Sequence, residues 1–300
     1  MAIDYAGGAP WLRSALYSIA RVLPVSLVKS VSRSQWRHVW LKPWLERCAD
    51  VLRNRDGIIQ HGVAKGLRFN TGNSDIGFLL GTAEPEVQKV LQMIVRPRSV
   101  IYDIGANVGF LSLVAAQIAG PAGCVCAFEP LPDNFRQLER NAQINGFKRV
   151  KAKNVAISDC DGLAPFLVSR SPTWGKLASV PGEASDQIGK TEVATFRLDS
   201  IVTIDQLPLP HVIKIDVEGA EAQVLDGAIE TIRRARPILI IELHGTNAVV
   251  AEKLSALGYS ATVIGSLKPI VESHWNSQVV AFPSPCPELE RIQRGDLAMP

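Results

Sequence analysis

The sequence contains no apolar run near the roughly 20 residues needed to span a bilayer, and its N-terminus lacks the continuous apolar core of a signal peptide. A soluble, cytoplasmic protein is the expectation. Cysteines are few and odd in number, five in all, and Cys124 and Cys126 sit two apart in a strand-like run. That spacing fits neither a mutual disulfide, a zinc ligand pair nor a C-x-x-C redox motif. No internal repeat and no low-complexity tract occur, so solenoids and disordered tracts are poor descriptions of the chain. Charge is also sparse, with 20% charged residues and a net charge of only +3. No second basic patch and no recognition motif accompany the one basic segment, which argues against nucleic acid as a partner.

What the chain does have is apolar content, 47% of 300 residues, enough to bury a sizeable core. Through Arg47 seven basic residues oppose only Asp4 and Glu46, so this segment carries +5 and the remainder −2. Trp11, Trp36, Trp40 and Trp44 lie among those arginines, with Leu16, Ile19, Leu23 and Leu27 at loose helical spacing. Residues 1–50 therefore read as a basic, Trp-rich helical extension. The plainer role is a pair of helices packed on the main domain; the other is peripheral contact of residues 1–47 with an anionic membrane surface.

Residues 51–98 read as a lead-in module, with short strands at Ile58–Val63 and Leu67–Asn70 among glycine turns. Glu84-Pro85-Glu86 opens a helix whose face is Val87, Val90, Leu91 and Ile94, stopped by Pro97. Strand and helix then alternate. Val100–Ile104, Cys124–Phe128 and Val150–Val155 are strands, separated by helices over Val108–Ala119 and Asp133–Asn145. Repeated βα units with near-continuous apolar strands predict an α/β fold with a parallel sheet covered on both faces.

Past Asp159 that rhythm breaks. Ala164–Ser169 and Glu192–Leu198 are strand-like, with a Ser-, Pro- and Gly-rich surface loop over Arg170–Lys190 between them. Alternation resumes with strands at Val212–Ile215, Ile238–Leu243 and Ser260–Ile264 and helices at Glu221–Arg234 and Asn247–Leu257. Gln278–Phe282 closes the series as a last strand, read as an edge strand, so the main domain runs over 99–283 and a tail over 284–300.

The chemistry concentrates at the first core strand. Its end reads D-I-G-A-N-V-G, with Asp103, Gly105, Asn107 and Gly109, and not the G-x-G-x-x-G of dinucleotide enzymes. Gly105 admits close backbone approach. Asp103, at the carboxyl end of the strand, suits a cationic amino group and repels phosphates. Glu129 ends the second strand, where an acidic side chain accepts ribose hydroxyls. Asp159, after the third, is placed to accept from an adenine amine; its plainer role is to start the Asp159–Gly162 turn. A ligand with a ribose and an amino-acid tail but no phosphate is S-adenosylmethionine. A nicotinamide oxidoreductase and a non-catalytic S-adenosylmethionine-binding protein are the alternatives.

A second acidic stretch, K-I-D-V-E-G-A-E from Lys214 to Glu221, again puts a carboxylate, Asp216, at the mouth of a strand. Three acids in six residues beside a glycine are many for a helix start alone; the plainer role of Glu218 and Glu221 is just that, in a first turn. Glu242 and His244 end the next strand. Together with F-E-P at Phe128–Pro130, A-I-S-D at Ala156–Asp159 and L-D-S at Leu198–Ser200, this set resembles the FkbM family of class I S-adenosylmethionine-dependent methyltransferases, over about Ile76 to Pro283. The resemblance implies a Rossmann-like seven-stranded, mostly parallel sheet. It also implies O-methylation of a sugar, glycoside, polyketide or related small-molecule acceptor.

An acceptor hydroxyl must lose a proton during such a transfer. His244 is the first candidate for the base; Asp216 with Glu242, joined by His244, is instead an oxygen-rich set for Mg²⁺. The loop over Arg170–Lys190 with Trp174, the N-terminal segment and Ser266–Ser277 with Trp275 are where acceptor specificity is expected.

Overall fold

A computed structural model of the chain describes residues 53–169, 175–180, 187–266 and 268–286. The N-terminal extension, Trp174 and nearly all of the tail lie outside the described residues. Two compact units divide at Pro85/Glu86.

In the first unit, β1 (Gly57–Ile58) and β2 (Arg68–Phe69) form a short antiparallel pair, and α1 (Gly77–Leu80) follows. The Asp75 carboxylate starts α1 by accepting the Gly77 N–H at 2.7 Å.

In the second unit, α2 (Pro85–Ile94) has proline at its start and Glu86 in its first turn, as a helix N-terminus favours. Seven strands build the main sheet, four of them followed directly by helix: β3 (Val100–Ile104), α3 (Phe110–Ala119), β4 (Cys124–Phe128), α4 (Pro132–Ile144), β5 (Val150–Lys153), then β10 (Val212–Ile215), α6 (Glu221–Asp226), α7 (Ile229–Ala235), β11 (Ile238–Glu242), α8 (Asn247–Ala256), β12 (Tyr259–Val263) and finally β13 (Gln278–Pro283). Spatial order is β12-β13-β11-β10-β3-β4-β5, a seven-stranded Rossmann-like sheet. Only β13 runs against its neighbours.

Burial follows the two faces of the strands. Tyr102, Ile104, Cys126 and Phe128 face a core shared with Leu198, Val224, Ile232, Val250 and Leu254 from helices on that side. Ala127, on the alternate face, packs on Leu138 of α4. Cys124 and Cys126 are both buried as free thiols.

Two placements differ from expectation. Gln278–Phe282 is not an edge strand: it inserts between β11 and β12, because Val279, Val280 and Ala281 are apolar on both faces and all three are buried. The segment at Glu192–Leu198 stops being a strand at Phe196, and Leu198 instead begins α5 (Leu198–Ile204). The Asp161 carboxylate accepts the Arg197 N–H and the Ser200 hydroxyl at the start of α5, while Asp199 accepts the Glu230 and Thr231 N–H groups at the start of α7. Hydrogen bonding to two helix starts outweighs the strand propensity of this stretch. A second sheet departs from the simple alternation, in the order β6-β9-β7-β8. It contains β6 (Ala156–Ile157), β7 (Gly162–Ser169), β8 (Lys176–Leu177) and β9 (Gln187–Phe196).

Candidate active site

Parallel register aligns the strand ends. Ile104 of β3 stands opposite Phe128 of β4 and Ile215 of β10, and Ile215 opposite Ile241 of β11. Asp103, Glu129, Asp216, Glu242 and His244 therefore meet at one edge of the sheet, the carboxyl edge where open α/β sheets bind ligands.

The β3–α3 turn is built from backbone conformations that side chains disfavour. Gly105, Asn107 and Gly109 have φ of 76°, 50° and 88°. The Gly105 and Ala106 N–H groups donate to the Phe128 carbonyl, and the Asn107 N–H donates to Glu129 Oε2 at 2.9 Å. A Cβ on Gly105 would lie 1.7 Å from the Asp216 carbonyl oxygen. What Gly105 admits is thus the neighbouring β10–α6 turn.

Glu129 is 5% exposed, and its other oxygen accepts the Leu131 N–H at 2.9 Å. Burial pushes its carboxyl up to about 7, against the opposing pull of these backbone donors. Asp103 is 2% exposed. Its Oδ2 accepts the Ser112 hydroxyl at 2.5 Å, while Oδ1 is buried without a hydrogen bond, 3.6 Å from Lys214 Nζ. Lys214 donates to Asp216 Oδ2 at 3.1 Å and to the Gly105 carbonyl at 3.2 Å, tying the two turns together. Asp159 is exposed two residues past the end of β6 and accepts from the Ser158 hydroxyl.

Around His244 lies a carboxylate cluster. Its Nδ1 is 2.9 Å from Glu221 Oε1, and its Nε2 is 3.4 Å from Glu218 and 3.9 Å from both Asp216 and Glu242. Glu221 is fully buried and held by the Gly219 N–H at 2.9 Å and the Thr246 hydroxyl at 2.7 Å. Burial works to lower the His244 pKa, but the Glu221 hydrogen bond and the charges of Glu218 and Asp216 raise it to about 9. At neutral pH this imidazole is therefore charged, a state that donates a proton and does not accept one. Burial pushes Glu218 up to about 7, against the pull of the His244 charge and with the repulsion of Asp216 and Glu242. Glu242 is raised as well, by burial and then by Asp216, with Gln278 donating to its Oε2 at 3.0 Å.

Among the described residues, the ligand atoms that lie within 4.8 Å of one another belong to Asp216, Glu218 and His244. Glu242 is not one of the three. A set with an imidazole nitrogen suits a transition cation better than Mg²⁺, which takes oxygen ligands. Of the expected Mg²⁺ set of Asp216 and Glu242 joined by His244, this cluster contains Asp216 and His244, with Glu218 in the place of Glu242.

Residues 103–261 match the family described as the methyltransferase FkbM domain. The chain belongs to that family. Three relatives bear on it. The hexuronic acid methyltransferase AglP of Haloferax volcanii is 27% identical over 161 residues, 54% of this chain and 62% of AglP. The 31-O-demethyl-FK506 methyltransferase FkbM of Streptomyces tacrolimicus is 24% identical over 213 residues, covering 62% of this chain and 81% of that protein. The 2-O-methyltransferase NoeI of Sinorhizobium fredii is 29% identical over 161 residues, 50% of this chain and 65% of NoeI. The chain thus spans under two thirds of the length of two of these proteins.

Within this FkbM domain, three site residues escape sequence reasoning. Ser112, buried in α3, holds Asp103. Glu221 and Glu218 read as helix-start acids, yet one holds His244 and the other faces its free nitrogen. Their signal was the density of acids beside Gly219 in Lys214–Glu221.

Proposed function

We propose that this FkbM-family chain is an S-adenosylmethionine-dependent O-methyltransferase acting on a hydroxyl of a sugar, glycoside, polyketide or related small molecule. The observation that carries the cofactor reading is the Asp103 carboxylate, buried with one oxygen lacking a hydrogen-bond donor at the mouth of the turn. Lys214 Nζ stands 3.6 Å from this oxygen but donates to Asp216 and the Gly105 carbonyl, which leaves Oδ1 open to a further cationic donor. The donor set fits the methyl donor: Asp103 Oδ1 receives its ammonium group, and Glu129 accepts from the ribose hydroxyls. The carboxylates leave no provision for a pyrophosphate.

The cofactor supplies an already activated methyl group on a sulfonium sulfur, so alignment is the larger task of the protein. Lys214 and Gly105 lock the two turns against each other and keep Asp103 in place. Glu221 fixes the His244 ring, and charged His244 in turn orients Glu218. Glu218 receives the acceptor's proton, since a carboxyl near 7 is matched to neutral pH. AglP is named for a hexuronic acid, FkbM for 31-O-demethyl-FK506 and NoeI for a 2-O position, which supports a small-molecule acceptor methylated on oxygen.

A screen of glycosides, nucleotide sugars and macrolides with methyl-labelled S-adenosylmethionine tests this. The expected outcome is label transferred to a hydroxyl, together with a rise in melting temperature on adding S-adenosylhomocysteine and none with NADH. Stabilisation by NADH alone would point to the oxidoreductase alternative.

A further inference from the structure

Trp275 stands beside the carboxylate cluster and stays 57% exposed. Its ring centroid is 6.3 Å from that of His244 and inclined at 58°, and 5.8 Å from that of His274. The backbone around it is fixed to the end of β11. Gly245 donates its N–H to the Trp275 carbonyl at 2.7 Å, and Leu243 donates to the Ser277 carbonyl at 2.9 Å, so the turn brackets His244 on both sides. Just upstream, the Asn247 side-chain amide lies within 3.2 Å of the Ile270, Ser273 and His274 carbonyls and of the Ser273 hydroxyl. An indole carried on a backbone held this firmly, yet left 57% exposed, gives the fold little burial energy.

The surroundings define what such a ring can take. Asp216, Glu218 and Glu242 keep 22–23% of their side chains exposed, and His244 keeps 10%. Carboxylates accept hydrogen bonds from hydroxyls, and a flat indole offers an apolar face for C–H groups. A ring with a C–H face and a hydroxyl edge matches both. Four carboxylates around one imidazole repel a second anion. We infer that Trp275 is the specificity-determining platform for the acceptor, stacking on the face of an uncharged pyranoside whose hydroxyl edge turns toward Glu218. Asn247 is a positioning residue for that platform. The inference rests on the methyl-transfer reading and adds to it the acceptor's ring and charge.

Saturation-transfer NMR on the full chain loaded with S-adenosylhomocysteine tests the inference, with methyl glycosides of glucose, galactose, mannose and rhamnose as probes and methyl glucuronide as the anionic control. Calorimetry of S-adenosylhomocysteine runs in parallel on every variant. At least one neutral glycoside is expected to bind through protons of one ring face. Trp275→Ala should weaken it by about tenfold, Trp275→Phe by no more than about threefold, and the glucuronide should compete poorly. S-adenosylhomocysteine affinity should stay unchanged in both variants, which also reports that they fold. If no neutral glycoside binds the loaded protein, if Trp275→Ala binds as well as the parent, or if the glucuronide competes equally, the platform is refuted while the cofactor reading stands. Failure of the parent to bind S-adenosylhomocysteine would bring down the cofactor reading, and the platform with it.

Discussion

In the proposed function Glu129 couples burial to ligand binding. Its carboxyl sits near 7 where an ordinary glutamate sits at 4.5, because burial outweighs the N–H groups of Leu131 and Asn107. The folded, ligand-free protein therefore holds a proton there that the unfolded chain has released. For this group, the contribution to stability is full below the unfolded value and is lost as pH rises toward about 7. Under the proposed function ribose hydroxyls donate to the ionised form, so cofactor affinity should move the other way. Between pH 6 and pH 8 the dissociation constant of S-adenosylhomocysteine should fall by about tenfold, and Glu129→Gln should flatten that profile. A flat profile in the parent protein would remove Glu129 from the ribose site. Gly105 shows the limit of reading residues singly. Its need for glycine was legible in the motif, but the reason, a carbonyl 1.7 Å from any Cβ, lies in a turn more than a hundred residues away.

At the scale of elements, β13 is the most informative strand. Pairing on both sides should make the amides of Val279, Val280 and Ala281 exchange slowly without exception, while β12, at the edge, should alternate between slow and fast amides. Alternation within β13 in a hydrogen-exchange measurement would return it to an edge. The apolar run Val279–Phe282 announced a strand plainly but not its neighbours, since antiparallel insertion is decided by the chain's return path. The same limit applies to the second sheet. Its long strands β7 and β9 were visible as short apolar stretches, yet the pairing across the intervening residues, including the two-residue β8, has no local sequence signal. By contrast the βα units from Val100 to Lys153 were readable almost residue by residue, because buried parallel strands leave continuous apolar runs bounded by glycine and proline.

For the molecule as a whole, the decisive feature is convergence. Four strand ends, far apart in sequence, deliver Asp103, Glu129, Asp216 and the Glu242–His244 segment to one edge. The motif positions pointed to each carboxylate separately. The partnership of His244 with Glu221 could not be read that way, because it depends on β10 and β11 being neighbours and on α6 turning its first residue inward. No helix among the described residues is long and apolar enough to cross a membrane. Under the proposed function, methyl donor and acceptor meet at this edge, the donor held by Asp103 and Glu129 and the acceptor by the His244 cluster. Calorimetric titration of S-adenosylhomocysteine into the parent protein and into Asp103→Asn tests this assignment most directly. Asparagine can still accept from Ser112, so the turn should survive, but it cannot pair with an ammonium group. One-to-one binding to the parent is expected, with an affinity lower by at least about tenfold in Asp103→Asn. Absence of binding to the parent, or equal affinity in the two proteins, would contradict it.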